Sequence, residues 1–135
     1  MEATQQRIGD MTKQADWQKE KHVPVIECAE CVKVDEWVHV KVTLGKAVAH
    51  PNTTGHHIRW IRAFFTADGE KVIREIGTFN FAAHGESTEG ADKGPVHTNH
   101  EAEFSFKTSK PGTLHALAYC NIHGLWESER RLDLV

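Results

Sequence analysis

The segment Glu36 to Leu44, EWVHVKVTL, alternates strictly between two kinds of position. Trp37, His39, Lys41 and Thr43 fall on one side, and Val38, Val40, Val42 and Leu44 on the other. Period two over such a run predicts a half-buried strand, ended by Gly45. The short β-branched run Val23 to Glu27 predicts a strand before it. Strand character returns over Ile58 to Thr66, and Ala67-Asp68-Gly69-Glu70 has hairpin-turn chemistry. Lys71 to Ile76 and Thr78 to Ala82 read as two further strands, Ala83 to Pro95 as a Gly-rich polar loop, and Ala102 to Thr108 as a strand. Pro111-Gly112 signals a turn ahead of a strand over Thr113 to Tyr119, and Leu125 to Leu134 closes the chain. Residues 1–16 have helical spacing with only Ile8 and Met11 as large apolar residues, which predicts a short helix or flexible tail. Seven or so short strands over 17–135, with turn signals between them and almost no helix, predict an all-β sandwich or barrel.

With 135 residues, the expectation is one domain with a real hydrophobic core and no need of disulfide staples. The formal charge of −3 and the lack of a basic stripe argue against a nucleic-acid surface. No apolar run approaches the roughly 20 residues that span a bilayer. The polar stretch Met1 to Asp16 lacks the apolar core of a signal peptide, so a cytoplasmic location is expected. Three cysteines, an odd number, fit a reducing compartment better than a disulfide framework.

Histidine changes the picture. There are ten, several beside Gly, Pro, Asn or Cys instead of inside apolar runs. In Cys120-Asn-Ile-His123-Gly, a thiol and an imidazole three apart, just past a strand, can turn toward one ion. That donor pair suits iron, copper or zinc over magnesium or calcium. A small buried cysteine beside a surface histidine gives the same pattern. In His50-Pro-Asn-Thr-Thr-Gly-His56-His57, Pro51 biases His50 toward an extended backbone and Gly55 permits a sharp bend. Without that bend His50 and His56 would stand about 20 Å apart along a strand. A solvated polar loop is the plainer reading. Glu20-Lys21-His22-Val-Pro24 offers a third histidine in a charged stretch. Together the segments supply four imidazoles and one thiolate, which leaves one octahedral position open for chemistry on a small ligand.

These three motifs, E-K-H-V-P, H-P-N-T-T-x-H-H-I and C-N-I-H-G-L-W-E, resemble in order and content those of the one-iron superoxide reductases, the neelaredoxin class related to the iron domain of desulfoferrodoxin. The resemblance runs from about Lys19 to the C-terminus. It implies a seven-stranded immunoglobulin-like β-sandwich or barrel that reduces superoxide to hydrogen peroxide at one iron. Carried over by motif, His22, His50, His56 and His123 are equatorial ligands and Cys120 the axial one. Lys21 matches the family's lysine beside the open site, and Glu20 the glutamate that can fill the sixth position of ferric iron. A rubredoxin-like electron donor and a homodimer or homotetramer are implied as well. Four neutral imidazoles and a thiolate leave ferrous iron with a net charge of about +1, which attracts the superoxide anion. Backbone N–H groups of Ile122 and His123 are expected to donate to the Cys120 sulfur.

Other residues are assigned to structure. Cys28-Ala-Glu-Cys31 is read as a pair of structural thiols, with a redox pair or a metal shared between subunits as the alternative. His39, His84, His97, His100 and His115 are expected at the surface or in turns, and Trp60, Trp126, Phe64 and Phe104 in the core. A blue-copper carrier would want a weak Met ligand soon after His123, where Trp126 stands instead. A binding module with no redox role would not need the three motifs. Superoxide dismutase activity at the same iron is the nearest rival.

Overall fold

The computed structural model describes residues 4–135. A single helical turn, α1 (Ile8–Met11), precedes eight strands. They are β1 (Val25–Glu27), β2 (Cys31–Val32), β3 (Val38–Thr43), β4 (Ile58–Ala67), β5 (Arg74–Asn80), β6 (Glu101–Phe106), β7 (Gly112–Cys120) and β8 (Gly124–Leu134). Two sheets result, one of order β1-β3-β6 and one of order β2-β8-β7-β4-β5. All pairings are antiparallel except β2 with β8. This is the all-β sandwich that the alternation predicts.

The inner rows of both sheets meet in one core. Val38, Val40 and Val42 of β3 face Ile58, Ile61 and Phe65 of β4 and Leu114, Ala116 and Ala118 of β7 within it. His39 on the opposite side of β3 is exposed, as period two requires. β7 alternates without a fault over its whole length, so that Cys120 is its last inward position and is 1% exposed.

Four details depart from the sequence reading. Lys71 to Ile73 are not strand, and Val72 and Ile73 lie exposed. The two strands expected on either side of Gly77 are one, β5; Gly77 pairs with Ala63, where β4 carries a register shift, and a strand glycine marks the irregularity without ending the strand. β2 is two residues long, too short to show a period. The Pro111-Gly112 turn signal is the start of β7: a side chain on Gly112 would place Cβ 2.1 Å from the Thr66 carbonyl oxygen, so glycine here serves a close strand contact.

The first three residues of the N-terminal segment 1–16 lie outside the described residues. Further along, Lys13 is pinned to β8: its N–H donates to Leu125 O (3.0 Å) and its carbonyl accepts from Glu127 N–H (2.9 Å). Trp60 and Phe64 stand on the outer face of the large sheet, where Trp60 stacks on Tyr119 (5.7 Å between centroids), not in the core. Trp126 is buried and Phe104 packs against the core edge.

One end of the sandwich gathers the chemically interesting segments. β4 begins at Ile58 paired with Cys120, which brings His56 and His57 beside the end of β7. The β7–β8 turn carries His123, the loop after β3 carries His50, and the segment leading into β1 carries His22.

Candidate metal centre

Donor atoms of His22, His56, Cys120 and His123 lie within 4.8 Å of one another, the one such group among the described residues. His22 Nε2 is 3.0 Å from His123 Nδ1, which is itself 3.2 Å from His56 Nε2 and 3.8 Å from Cys120 Sγ. His123 thus presents Nδ1 to the group while His22 and His56 present Nε2. The His50 ring packs edge-on against the rings of His22 (4.8 Å) and His56 (4.9 Å). All five residues that the motifs nominate are therefore brought together.

His50 shows the chemistry most plainly. Its Nδ1 lies 2.6 Å from Pro51 O and can only donate there, because a carbonyl accepts. That fixes the proton on Nδ1 and leaves a lone pair on Nε2, which is buried with no hydrogen-bond partner. An unsatisfied buried polar atom costs about 1–3 kcal/mol. A metal ion that accepts the Nε2 lone pair would remove that penalty, and the His22 and His56 rings of the donor group pack against this ring. This donor set fits a borderline transition metal and does not fit a hard, oxygen-seeking cation. The loop reaches this position because Gly45, at φ +74°, lies against the backbone of His50; a Cβ there would come 2.6 Å from His50 N.

Neighbouring groups fix the donors. Glu20 Oε1 accepts hydrogen bonds from His22 Nδ1–H (2.6 Å) and from the His22 backbone N–H (3.1 Å), so the carboxylate orients this ring by the edge opposite Nε2. Trp126 stacks on His22 at 5.0 Å and 16°, and its indole N–H donates to His123 O (3.2 Å). The His123 N–H donates to Cys120 Sγ (3.4 Å); of the two donors expected for this sulfur, the structure shows that one. Glu20 stands outside the four-residue group, and Lys21, half-buried, stands next to it in the chain. Lys21 lies near enough that its charge helps lower the pKa of both His22 and His56.

Three histidines differ from expectation, among them His115, which is half-buried within β7 with its Nε2 2.9 Å from Thr66 Oγ1. His84, expected at the surface, is 4% exposed and stacks face to face on His57, with 3.5 Å between centroids. The Gly85 that follows hides it behind a loop signal. His100 is half-buried beside His50 (5.8 Å), whereas His39 and His97 are exposed. Cys28 and Cys31 are free thiols outside this group, Cys28 against the core and Cys31 exposed.

Burial, first of all, pushes the His50 pKa down from 6.5 to about 4, and the same cause lowers those of His22 and His56. The unfolded chain therefore takes up protons that the folded one refuses, and folding stability falls with falling pH. For metal-free protein we expect the urea midpoint to drop as pH falls from 6.5 toward about 4, the window set by His50. A midpoint that holds or rises across that window contradicts neutral, buried imidazoles.

Comparison with known proteins agrees with this geometry. The family model described as desulfoferrodoxin matches residues 14–129. The neelaredoxin of Megalodesulfovibrio gigas is 54% identical over 128 residues, 95% of this chain and 98% of its own. A superoxide reductase of Pyrococcus furiosus is 48% identical over 93% of this chain and 99% of its own. The solved structure of the superoxide reductase (neelaredoxin) of Archaeoglobus fulgidus in its reduced form superposes with a TM-score of 0.85 at 48% identity, covering 92% of this chain and 99% of that one. With fold, donor group and sequence in agreement, the chain belongs to the desulfoferrodoxin family, among the members named neelaredoxins and superoxide reductases.

Proposed function

We propose that this chain reduces superoxide to hydrogen peroxide at a single iron held by His22, His50, His56, His123 and Cys120. The observation that carries the reading is the convergence of four imidazoles and one thiol at one end of the sandwich, with His50 Nε2 buried and otherwise unpartnered. Iron, when bound, supplies the one electron that superoxide must take; two protons complete peroxide. The rest falls to the protein.

The rings are held and aimed by their neighbours, and burial favours the neutral form of His50, His22 and His56. Pro51 O holds the His50 proton on Nδ1, Glu20 holds that of His22, Trp126 and the Cys120–His123 turn fix His123, and Thr53 Oγ1 accepts the His56 backbone N–H. Cys120, 1% exposed, is shielded from bulk oxidants while its sulfur accepts the His123 N–H. A hydrogen bond to the sulfur draws off part of its electron density, so this N–H would tune the potential of a metal held there. Lys21 gives a local positive charge at the opening. That is how a chain of net charge −3 draws in an anion: the local field, not the total, steers it. Glu20 is committed to His22 in this conformation. To reach a metal held by these residues, the carboxylate would have to swing off that ring.

The electron donor is a small rubredoxin-like carrier, for which Ile122, 58% exposed within the Cys120–His123 turn, offers an apolar contact. Three free thiols suit a reducing compartment, and we place the chain in the cytoplasm as a homo-oligomer. Among the described residues no helix is long and apolar enough to cross a membrane.

Iron-loaded protein is expected to carry about one iron per chain and to gain a visible band on oxidation with ferricyanide, from thiolate-to-iron charge transfer. In Cys120→Ser that band should vanish; its persistence removes Cys120 from the ligand set. Lys21→Ala should keep its iron and its band but slow the bimolecular encounter with superoxide by about tenfold, and should flatten the dependence on ionic strength. An unchanged encounter rate leaves Lys21 without a steering role.

A further inference from the structure

Asn121 is none of the nominated donors, yet it bonds to both residues that flank one of them. Its Oδ1 accepts from the His57 backbone N–H (2.8 Å), and its Nδ2 donates to Gly55 O (3.0 Å). Its own backbone N–H donates to His57 O (3.1 Å). Gly55 and His57 bracket His56, and Cys120 and His123 lie on either side of Asn121. A single side chain therefore joins the segment that presents His56 to the turn that presents Cys120 and His123.

The amide can make both bonds in one orientation only, since an N–H must meet Oδ1 and a carbonyl must meet Nδ2. The anchor is rigid as well. The His57 ring has Nδ1 2.9 Å from Thr53 O and lies flat on the buried His84 ring (8° between planes). Thr53 Oγ1 in turn accepts from the His56 N–H (3.0 Å). His56 is half-buried and His123 exposed, so neither is held in place by burial alone.

We infer that Asn121 is a positioning residue: it locks the His56 segment to the Cys120–His123 turn and so prearranges the metal donors of both. The inference rests on reading this group as an iron site. A partner that orients ligands typically contributes 10–100-fold to metal affinity.

The test uses Asn121→Ala and Asn121→Asp, the latter keeping the size and the acceptor for His57 N–H while removing the donor to Gly55 O. Ferrous affinity is read by chelator competition, the absorption maximum after ferricyanide oxidation, and the urea midpoint of metal-free protein. Ser105→Ala, which deletes a bond to His39 on the other sheet, is the control. Both Asn121 variants should bind ferrous ion at least about tenfold more weakly than the parent and shift its absorption maximum, with Ser105→Ala unchanged. Should Asn121→Ala fail to fold, Asn121→Asp decides alone. Parent-like affinity and an unshifted band in the folded variants overturn the inference, as does an equal weakening in Ser105→Ala. A parent that binds no ferrous ion at these residues overturns the iron reading itself, and the role of Asn121 with it.

Discussion

The unbroken alternation of β7 governs the chemistry of this molecule. Leu114, Ala116 and Ala118 fill the core, and the next inward position is Cys120, where the strand gives way to a turn. A residue at that point has a buried side chain and a backbone free to leave the ladder. The buried thiol and the exposed His123 three residues on thus face the same spot, and pairing of Ile58 with Cys120 brings in His56 from the loop just ahead of β4. Shifting β7 by one residue would send the sulfur to the outer face of the sheet. The hydrophobic row therefore sets the position of the sulfur as well as the packing of the sheets.

The polar groups around this spot have little freedom to settle elsewhere. Buried imidazoles are kept neutral by desolvation, and each has one nitrogen engaged by a fixed partner: Pro51 O for His50, Glu20 for His22. The remaining nitrogens face inward. The fold thus carries a local frustration, most evident in the orphaned Nε2 of His50, that a metal ion relieves. A site built this way would bind metal at the expense of the stability of the metal-free protein, a common relation at functional centres.

Much of this was legible in the residues. The Val38–Leu44 alternation gave the buried face of β3 correctly, because a half-buried strand has no other way to write itself. The three motifs nominate five donors; four of them share one cluster of donor atoms, and the His50 ring packs against two of those. The convergence itself was not written locally: the bend through Gly55 and the approach of Gly45 to His50 depend on the packed sheets. The clamp made by Asn121 is not legible in the sequence, because an amide that bonds to two backbone groups leaves no period or spacing, only a position inside a motif. His84 was misplaced for a related reason: its loop composition is polar, but tertiary contact buries it against His57. The hold of Glu20 on His22 Nδ1 was likewise invisible, since a residue two positions away can face a ring or a metal equally well.

The most direct measurement is product stoichiometry. Protein loaded with ferrous iron is mixed with superoxide in the absence of any donor, and peroxide and dioxygen are counted in a single turnover. Reduction predicts one peroxide for each superoxide consumed, no dioxygen from the protein, and loss of the ferrous form in step. One peroxide for every two superoxide, with dioxygen released and the ferrous form regenerated, would contradict it and make the site a dismutase.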